Sequence, residues 1–321
     1  MLPRVIIVSF DGFASMDALG PYETFVAASH LLPEGGYRVL LTSVAGGPCR
    51  TGSGLRVDTE CLLRLRPQAG DTVLVAGAES TPVMAAARDA QLLGWLRKAA
   101  PVVRRLGSVC SGAFVLGELG VLNGKRCATH WAACATLAAR FPEAQVQRDA
   151  IFVKDGTLWT SAGVTTGIDM ALAMVEEDHG ARIADAIAAQ AVLYARRPGF
   201  QSQFSPALVA QLEASDPLGA SIAWARRHLS QLTVESLAQQ AGLALRTLHR
   251  RTLAVLGVTP AKLIERIRVE HARTLLSSTT LAQKVVAHQA GFSGNAQMQR
   301  ALARHLGVDG RAVRLLFRSP A

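Results

Sequence analysis

Two architectures in series are predicted, an α/β unit on a parallel sheet and then an all-helical unit. Three observations predict them. Over roughly residues 1–195, short β-branched runs alternate with helical stretches, the pattern of a parallel sheet covered on both faces. From about 216 to 321 the periodicity is helical throughout, with no credible strand. The charge divides at the same place: residues 217–321 hold 15 Lys and Arg against 4 Asp and Glu, while residues 1–216 hold 19 against 20. At 321 residues the chain is long enough for two cores. The expected boundaries are 4–195 for the first unit, 196–216 for a linker and 217–321 for the second.

In the first unit the expected strands are Val5–Ser9, Arg38–Val44, Thr72–Val75, Val102–Val109, Arg126–Thr129, Ile151–Val153 and Leu158–Thr160. Helical segments are expected near Met16–Ser29, Pro82–Ala99, Gly112–Leu119, Trp131–Ala139, Thr165–Asp178 and Ala181–Leu193. Lys154-Asp155-Gly156 is a hairpin signal between the last two strands. The apolar run Val5–Phe10 ends too early, at Asp11 and Gly12, for a signal peptide, and reads as a buried strand. No apolar run approaches the ~20 residues that cross a bilayer. Five cysteines at irregular spacing, from Cys49 to Cys134, fit a reducing cytoplasm and give no disulfide framework. Metal-ligand spacings are absent, and no cofactor is expected.

Pro198, Gly199, Gln201, Ser202, Gln203, Ser205 and Pro206 make a polar, turn-rich connector. Beyond it a short helix starts at Leu232–Ala238 with Thr233 as N-cap, and Gly242 stops it where a helix-turn-helix tolerates positive φ. The next helix, Leu245–Leu256, sets Arg246, His249 and Arg250 on one face, with Leu248 and Leu253 expected in the core. The arrangement recurs: Ala282–Ala290, Gly291, then Asn295–His305, with Asn295, Gln299 and Arg300 outward and Met298 and Leu302 inward. A helix over Pro260–Leu276 joins the two units, Pro260 suiting its first turn. Paired units of this kind can enter successive major grooves about 34 Å apart. Arg can bond guanine in bidentate fashion, and Asn or Gln adenine. The expected double-stranded-DNA contacts are Arg246, Thr247, His249, Arg250, Asn295, Gln297, Gln299 and Arg300.

Residues 217–317 resemble the DNA-binding domain of the AraC/XylS family. The resemblance rests on Leu245–Arg251, Leu256-Gly257-Val258-Thr259-Pro260, Arg268–Leu276 and Ala290-Gly291-Phe292-Ser293. Thr252 stands where that family usually has a buried aromatic. Met298 and Leu302 replace two Phe positions, and Gly310 and Val313 replace a closing Pro and Tyr.

In the first unit Leu106–Ala113 puts Cys110 between an apolar strand and a helix, an elbow that exposes its side chain. The helix N-terminus is expected to lower the thiol's pKa. Asp17, on the first βα loop, and His130, after the strand ending at Thr129, are candidate partners for catalysis. Both follow strand C-termini, where open α/β sheets hold ligands. From spacing alone Cys110 is a nucleophile, a pocket residue of a ligand sensor or an inert small apolar group. Cys49, Cys61, Cys127 and Cys134 read as packing residues.

Residues 4–195 resemble the ThiJ/PfpI superfamily, which implies an amidotransferase-like, flavodoxin-like fold. The matching stretches are Phe10-Asp11-Gly12, Met16–Pro21, Val109–Leu116, Ala128-Thr129-His130-Trp131 and Thr160–Asp169. By that resemblance Asp17 is the acid beside the elbow Cys110, His130 is the family's histidine, and Ser111 replaces the commoner Thr. The fusion, with its linker Arg197–Ser205, resembles the GlxA-type regulators. That implies a small-molecule effector, such as an amine or amino-acid derivative, held by Asp17, Cys110, Ser111, His130, Gly163 and Thr165. It also implies a homodimer in the cytoplasm, with no membrane partner. A ligand-controlled transcription factor is therefore expected, without enzymatic activity. A cysteine-dependent hydrolase or hydratase of small nitrogen compounds stays open, because its residue types are all present.

Overall fold

The computed structural model describes residues 2–32, 35–193, 196–197, 199, 203, 217–256, 258–306 and 309–317. The chain forms two compact units, Met1–Gln203 and Phe204–Ala321. Residues 204–216 of the expected linker lie outside the described residues.

The strands of the first unit are β1 (Arg4–Val8), β2 (Arg38–Ser43), β3 (Gly47–Arg50), β4 (Arg56–Cys61), β5 (Thr72–Val75), β6 (Arg105–Val109), β7 (Arg126–Cys127), β8 (Gln145–Val146), β9 (Phe152–Asp155) and β10 (Leu158–Ser161). Its helices are α1 (Ser15–Leu31), α2 (Ser80–Ala86), α3 (Ala90–Ala99), α4 (Ala113–Glu118), α5 (Cys134–Arg140), α6 (Thr165–His179) and α7 (Ala181–Gln190). One sheet runs β3-β4-β2-β1-β5-β6-β10-β9. It is parallel from β4 to β10, and its edge strands β3 and β9 are antiparallel to their neighbours. This is the expected flavodoxin-like arrangement. Alternate residues of β1 feed two cores: Ile6 and Val8 pack with Leu92, Leu96 and Val115 of α3 and α4. Val5 and Ile7 pack with Phe25 of α1, Met170 of α6 and Ile187 of α7. A sheet buried on both faces needs such a continuous apolar run.

Two expectations for this unit are corrected, and one hairpin that was not expected is added. The run Arg126–Thr129 does not join the main sheet; it pairs only Arg126 and Cys127, in parallel, with β8. The hairpin β3–β4 carries no continuous apolar run, because only alternate residues of this edge are covered. The helix expected over Pro82–Ala99 breaks in two, since Asp89 caps α3 by accepting from Gln91 N at 2.8 Å and Leu92 N at 3.0 Å. The 154–156 signal does make the β9–β10 hairpin, with Gly156 at φ 65°.

The second unit contains α8 (Pro217–Arg227), α9 (Val234–Gln240), α10 (Leu245–Leu256), α11 (Pro260–Ser278), α12 (Gln283–Gln289), α13 (Asn295–Leu306) and α14 (Gly310–Phe317). Thr233 and Ser236 form a reciprocal capping box at the start of α9. Gly242 and Gly291 turn the two helix-turn-helix units at φ 60° and 77°. An added Cβ at Gly291 would also strike the Leu229 carbonyl, so this position demands glycine twice over. The joining helix α11 is 19 residues, about 28 Å long. Its Glu265 accepts from Arg304 and His305 of α13, at 2.7 Å each, which fixes the second reading helix to it.

Leu253 is a correction. It is 43% exposed, and the buried stripe of α10 is Leu248, Thr252 and Leu256. Steps of four keep that stripe on one face, whereas Leu253 lies five residues from Leu248 and rotates away. Thr252 tolerates burial because its hydroxyl donates to the His249 carbonyl at 3.1 Å. Met298, Leu302 and Val313 are fully buried. Gly310 keeps an N–H that a proline would lack, and donates it to Gln299 Oε1 at 2.8 Å.

Candidate functional site

The elbow is where β6 meets a short 3-10 turn, Cys110–Gly112, that leads into α4. Cys110 sits at φ 56°, a strained value for a non-glycine residue. Two glycines make room for it. A Cβ at Gly77 would lie 2.6 Å from Asp17 Oδ2 and 2.7 Å from Cys110 Cβ; one at Gly163 would lie 2.5 Å from Cys110 Cβ. Neighbouring Val164 is also at positive φ, 51°, and its N–H donates to Asp17 Oδ1 at 2.6 Å. Ser111 Oγ donates to the Ala78 carbonyl at 2.6 Å and accepts from Ala78 N at 2.9 Å. Thr129 Oγ1 donates to the Cys110 carbonyl at 2.8 Å.

These groups open on a cavity of about 1000 Å³ whose lining includes Asp17, Glu79, Cys110, Ser111, Phe114 and His130. Asp17, Cys110, Ser111 and His130 are thus brought together as expected. Gly163 is a packing partner of Cys110, behind the lining. Thr165 is turned away: it is exposed, and its hydroxyl accepts from Arg197 Nη2 at 2.8 Å. Glu79, Met84, Phe114 and Thr136 also line the cavity. Sequence reasoning missed Glu79, Met84 and Thr136 because they are single residues outside any matched stretch, and Phe114 because its place in Val109–Leu116 reads as helix core.

The electrostatics overturn one expectation. The turn at the elbow does not activate the thiol: burial, then the charge of Asp17, pushes Cys110 up to about 12. Burial also raises the Asp17 carboxyl, against the hydrogen bond from Val164. Two acids sharing one dry site cannot both ionise, so the pair retains a proton at neutral pH. Burial lowers His130, although Asp17 and Glu79 pull the other way. Cys49, Cys127 and Cys134 are buried and Cys61 is partly covered.

On α10, Arg246, His249 and Arg250 are exposed and Thr247 is half-buried; on α13, Asn295 and Arg300 are exposed. Three expected contacts are engaged within the fold, and one of them, Asn295, accepts at Oδ1 from Gln299 Nε2 at 3.2 Å. Gln297 Oε1 accepts from Ser293 N at 2.8 Å and Ser293 Oγ at 2.9 Å, and so holds the start of α13. Gln299 Nε2 donates to Gln283 Oε1 at 3.0 Å while its Oε1 holds Gly310. Among the described residues no helix is long and apolar enough to cross a membrane.

Comparison with known proteins matches this geometry. Residues 3–177 fit the DJ-1/PfpI family and residues 237–314 a helix-turn-helix domain. The HTH-type transcriptional regulator CdhR of Pseudomonas aeruginosa is 30% identical over 265 residues, 82% of this chain and 77% of that protein. The HTH-type transcriptional regulator GlxA of Rhizobium meliloti is 28% identical over 94% of this chain and 92% of its own length. The isonitrile hydratase of Pseudomonas putida is 32% identical over 63% of this chain, all but 17% of its own length being matched. With a DJ-1/PfpI domain ahead of an AraC-type helix-turn-helix domain, the chain belongs to the DJ-1/PfpI family in the two-domain form of the GlxA-type transcriptional regulators.

Proposed function

We propose that this protein is a sequence-specific transcriptional regulator whose DNA affinity is set by a small metabolite held in the cavity beside Cys110. The observation that carries the reading is the confinement of net positive charge to the unit that presents Arg246, His249, Arg250, Asn295 and Arg300 outward. Such a surface gains affinity by releasing counterions from phosphates, and its Arg and Asn side chains suit base edges. Gln297 and Gln299 serve mainly to hold α13 in place.

In the cavity, Asp17, Ser111 and His130 orient the effector, and Cys110 lines it as a neutral thiol. Gly163 keeps the wall close, and Thr165 steadies the adjoining turn. Glu79 and Asp17 supply acidic character, and the lining arginine, Arg140, is already paired with Glu118 at 2.6 Å. An amine or amino-acid derivative fits that balance. The protein acts in the cytoplasm as a homodimer, since two-fold operators pair half-sites. The test is fluorescence anisotropy with the DNA upstream of its own gene and a panel of small amines. Salt-sensitive binding that shifts with one amine and loses that shift in Asp17→Asn supports the reading. Binding that ignores salt and every amine removes it.

A second reading, a cysteine hydratase, draws on the strained Cys110, its neighbours Asp17 and His130, and the likeness to isonitrile hydratase. A thiol raised to about 12 argues against a resting nucleophile. Isonitrile turnover that vanishes in Cys110→Ala would restore it.

A further inference from the structure

The segment that leaves the first unit is fastened through Arg197 and Gln203, and each bonds a residue next in sequence to one that lines the cavity. At its start Arg197 grips the buried Asp169 of α6. Its backbone N–H reaches Oδ1 at 2.9 Å, and Nε and Nη2 reach Oδ2 at 2.9 and 2.6 Å. Nη2 also bonds Thr165 at the first turn of α6. The residue before that turn is the strained Val164, whose N–H holds Asp17. Further along, Gln203 Nε2 reaches the carbonyls of Thr129, Ala150 and Arg148 at 2.9, 3.1 and 3.4 Å, and Gln203 N donates to Asp149 O at 2.8 Å. Thr129 is fully buried, precedes His130 and bonds the Cys110 carbonyl. Between the two, the Gly199 carbonyl accepts from Phe152 N at 3.2 Å, and an added Cβ at Gly199 would lie 2.5 Å from the Phe152 carbonyl.

We infer that Arg197 and Gln203 are the anchors of a strap, and that these two anchors couple occupancy of the Cys110 cavity to the connector that runs on to the DNA-binding unit. The inference rests on the proposed sensing role of that cavity. A ligand that moves Val164 shifts the first turn of α6 and with it the Arg197 anchor. One that moves His130 shifts the Thr129 carbonyl that Gln203 needs. Linkage makes the coupling reciprocal: loosening the strap must also shift the balance of conformations at the cavity wall, which the reactivity of Cys110 reads.

The reciprocal effect is testable without knowing the effector. Iodoacetamide alkylation of the full chain is followed peptide by peptide, in wild type, Gln203→Ala, Arg197→Gln and Arg4→Ala. The last breaks a remote Arg4–Asp71 pair and serves as a control for general loosening. The expected result is a change in the Cys110 rate of at least about fivefold in the two strap variants, with Cys61 unchanged and Arg4→Ala like wild type. An unchanged Cys110 rate, or equal acceleration of Cys61 and of the control, overturns the inference. Wild-type protein supplies the converse. Carbamidomethylation of Cys110 is expected to speed hydrogen exchange at the Arg197 and Gln203 amides, and unaltered exchange overturns the inference as well. If promoter binding still responds to an amine when the strap tests fail, the sensing role stands and only the strap is lost.

Discussion

Cys110 shows how far residue identity can mislead. An elbow cysteine at the mouth of a helix suggests a thiolate, yet burial and Asp17 hold the proton on. Asp17→Asn removes the opposing charge, so Cys110 alkylation at mildly alkaline pH is expected to accelerate several-fold; an unchanged rate would mean burial alone sets the thiol. The motifs around Cys110 and His130 were readable because each closely follows a strand end, whereas Asp17, expected on the first βα loop, lies in the first turn of α1. Nothing comparable marks Glu79 or Thr136. Thr165 was misplaced for a related reason: it adjoins the site in sequence, but the start of α6 turns its hydroxyl to Arg197.

Elements were legible where an apolar period ran long enough. β1, β5, α6, α10 and α11 emerge at or near their expected limits, since each buries a continuous face. The hairpin β3–β4 and the short β8 were not, because half-exposed edges carry no apolar run. Leu253 looked like core by type alone. At this scale Leu248→Ala is expected to cost about 2–5 kcal/mol of stability in chemical denaturation, whereas Leu253→Ala should cost well under about 1 kcal/mol. Equal losses would contradict the stripe. On the reading faces, Arg250→Ala and Arg300→Ala are each expected to cost ~1–3 kcal/mol on the preferred operator and to relax specificity at one base pair. Uniform loss across all sequences, measured by competition binding, would assign both to phosphates.

Across the molecule, division of labour follows division of charge: a neutral α/β unit with a cavity, and a cationic helical unit. The first unit is also tied below its sheet, where Arg105 bonds Asp178 at 2.9 and 2.6 Å and Glu177 at 3.1 Å, and Tyr37 bonds Asp178 at 2.7 Å. Burial alone would raise the Asp178 carboxyl, but Arg105 and Tyr37 hold it below the ordinary carboxylate range. A depressed carboxylate stabilises the fold above its unfolded pKa, near 4, and that contribution disappears as pH falls through the folded value. Thermal melts should therefore drop steeply on acidification below about pH 4, and Asp178→Asn should flatten that limb; a parallel acid limb in the variant would exonerate the cluster.

Val164, held at φ 51° beside Asp17, has a consequence for anyone engineering the protein. A β-branched side chain in that conformation costs of order 1–3 kcal/mol, so glycine there should raise the melting temperature. The same exchange slackens the backbone hook on the buried carboxyl. Toughness and responsiveness would then part company at a single position, the hardier protein being the poorer listener.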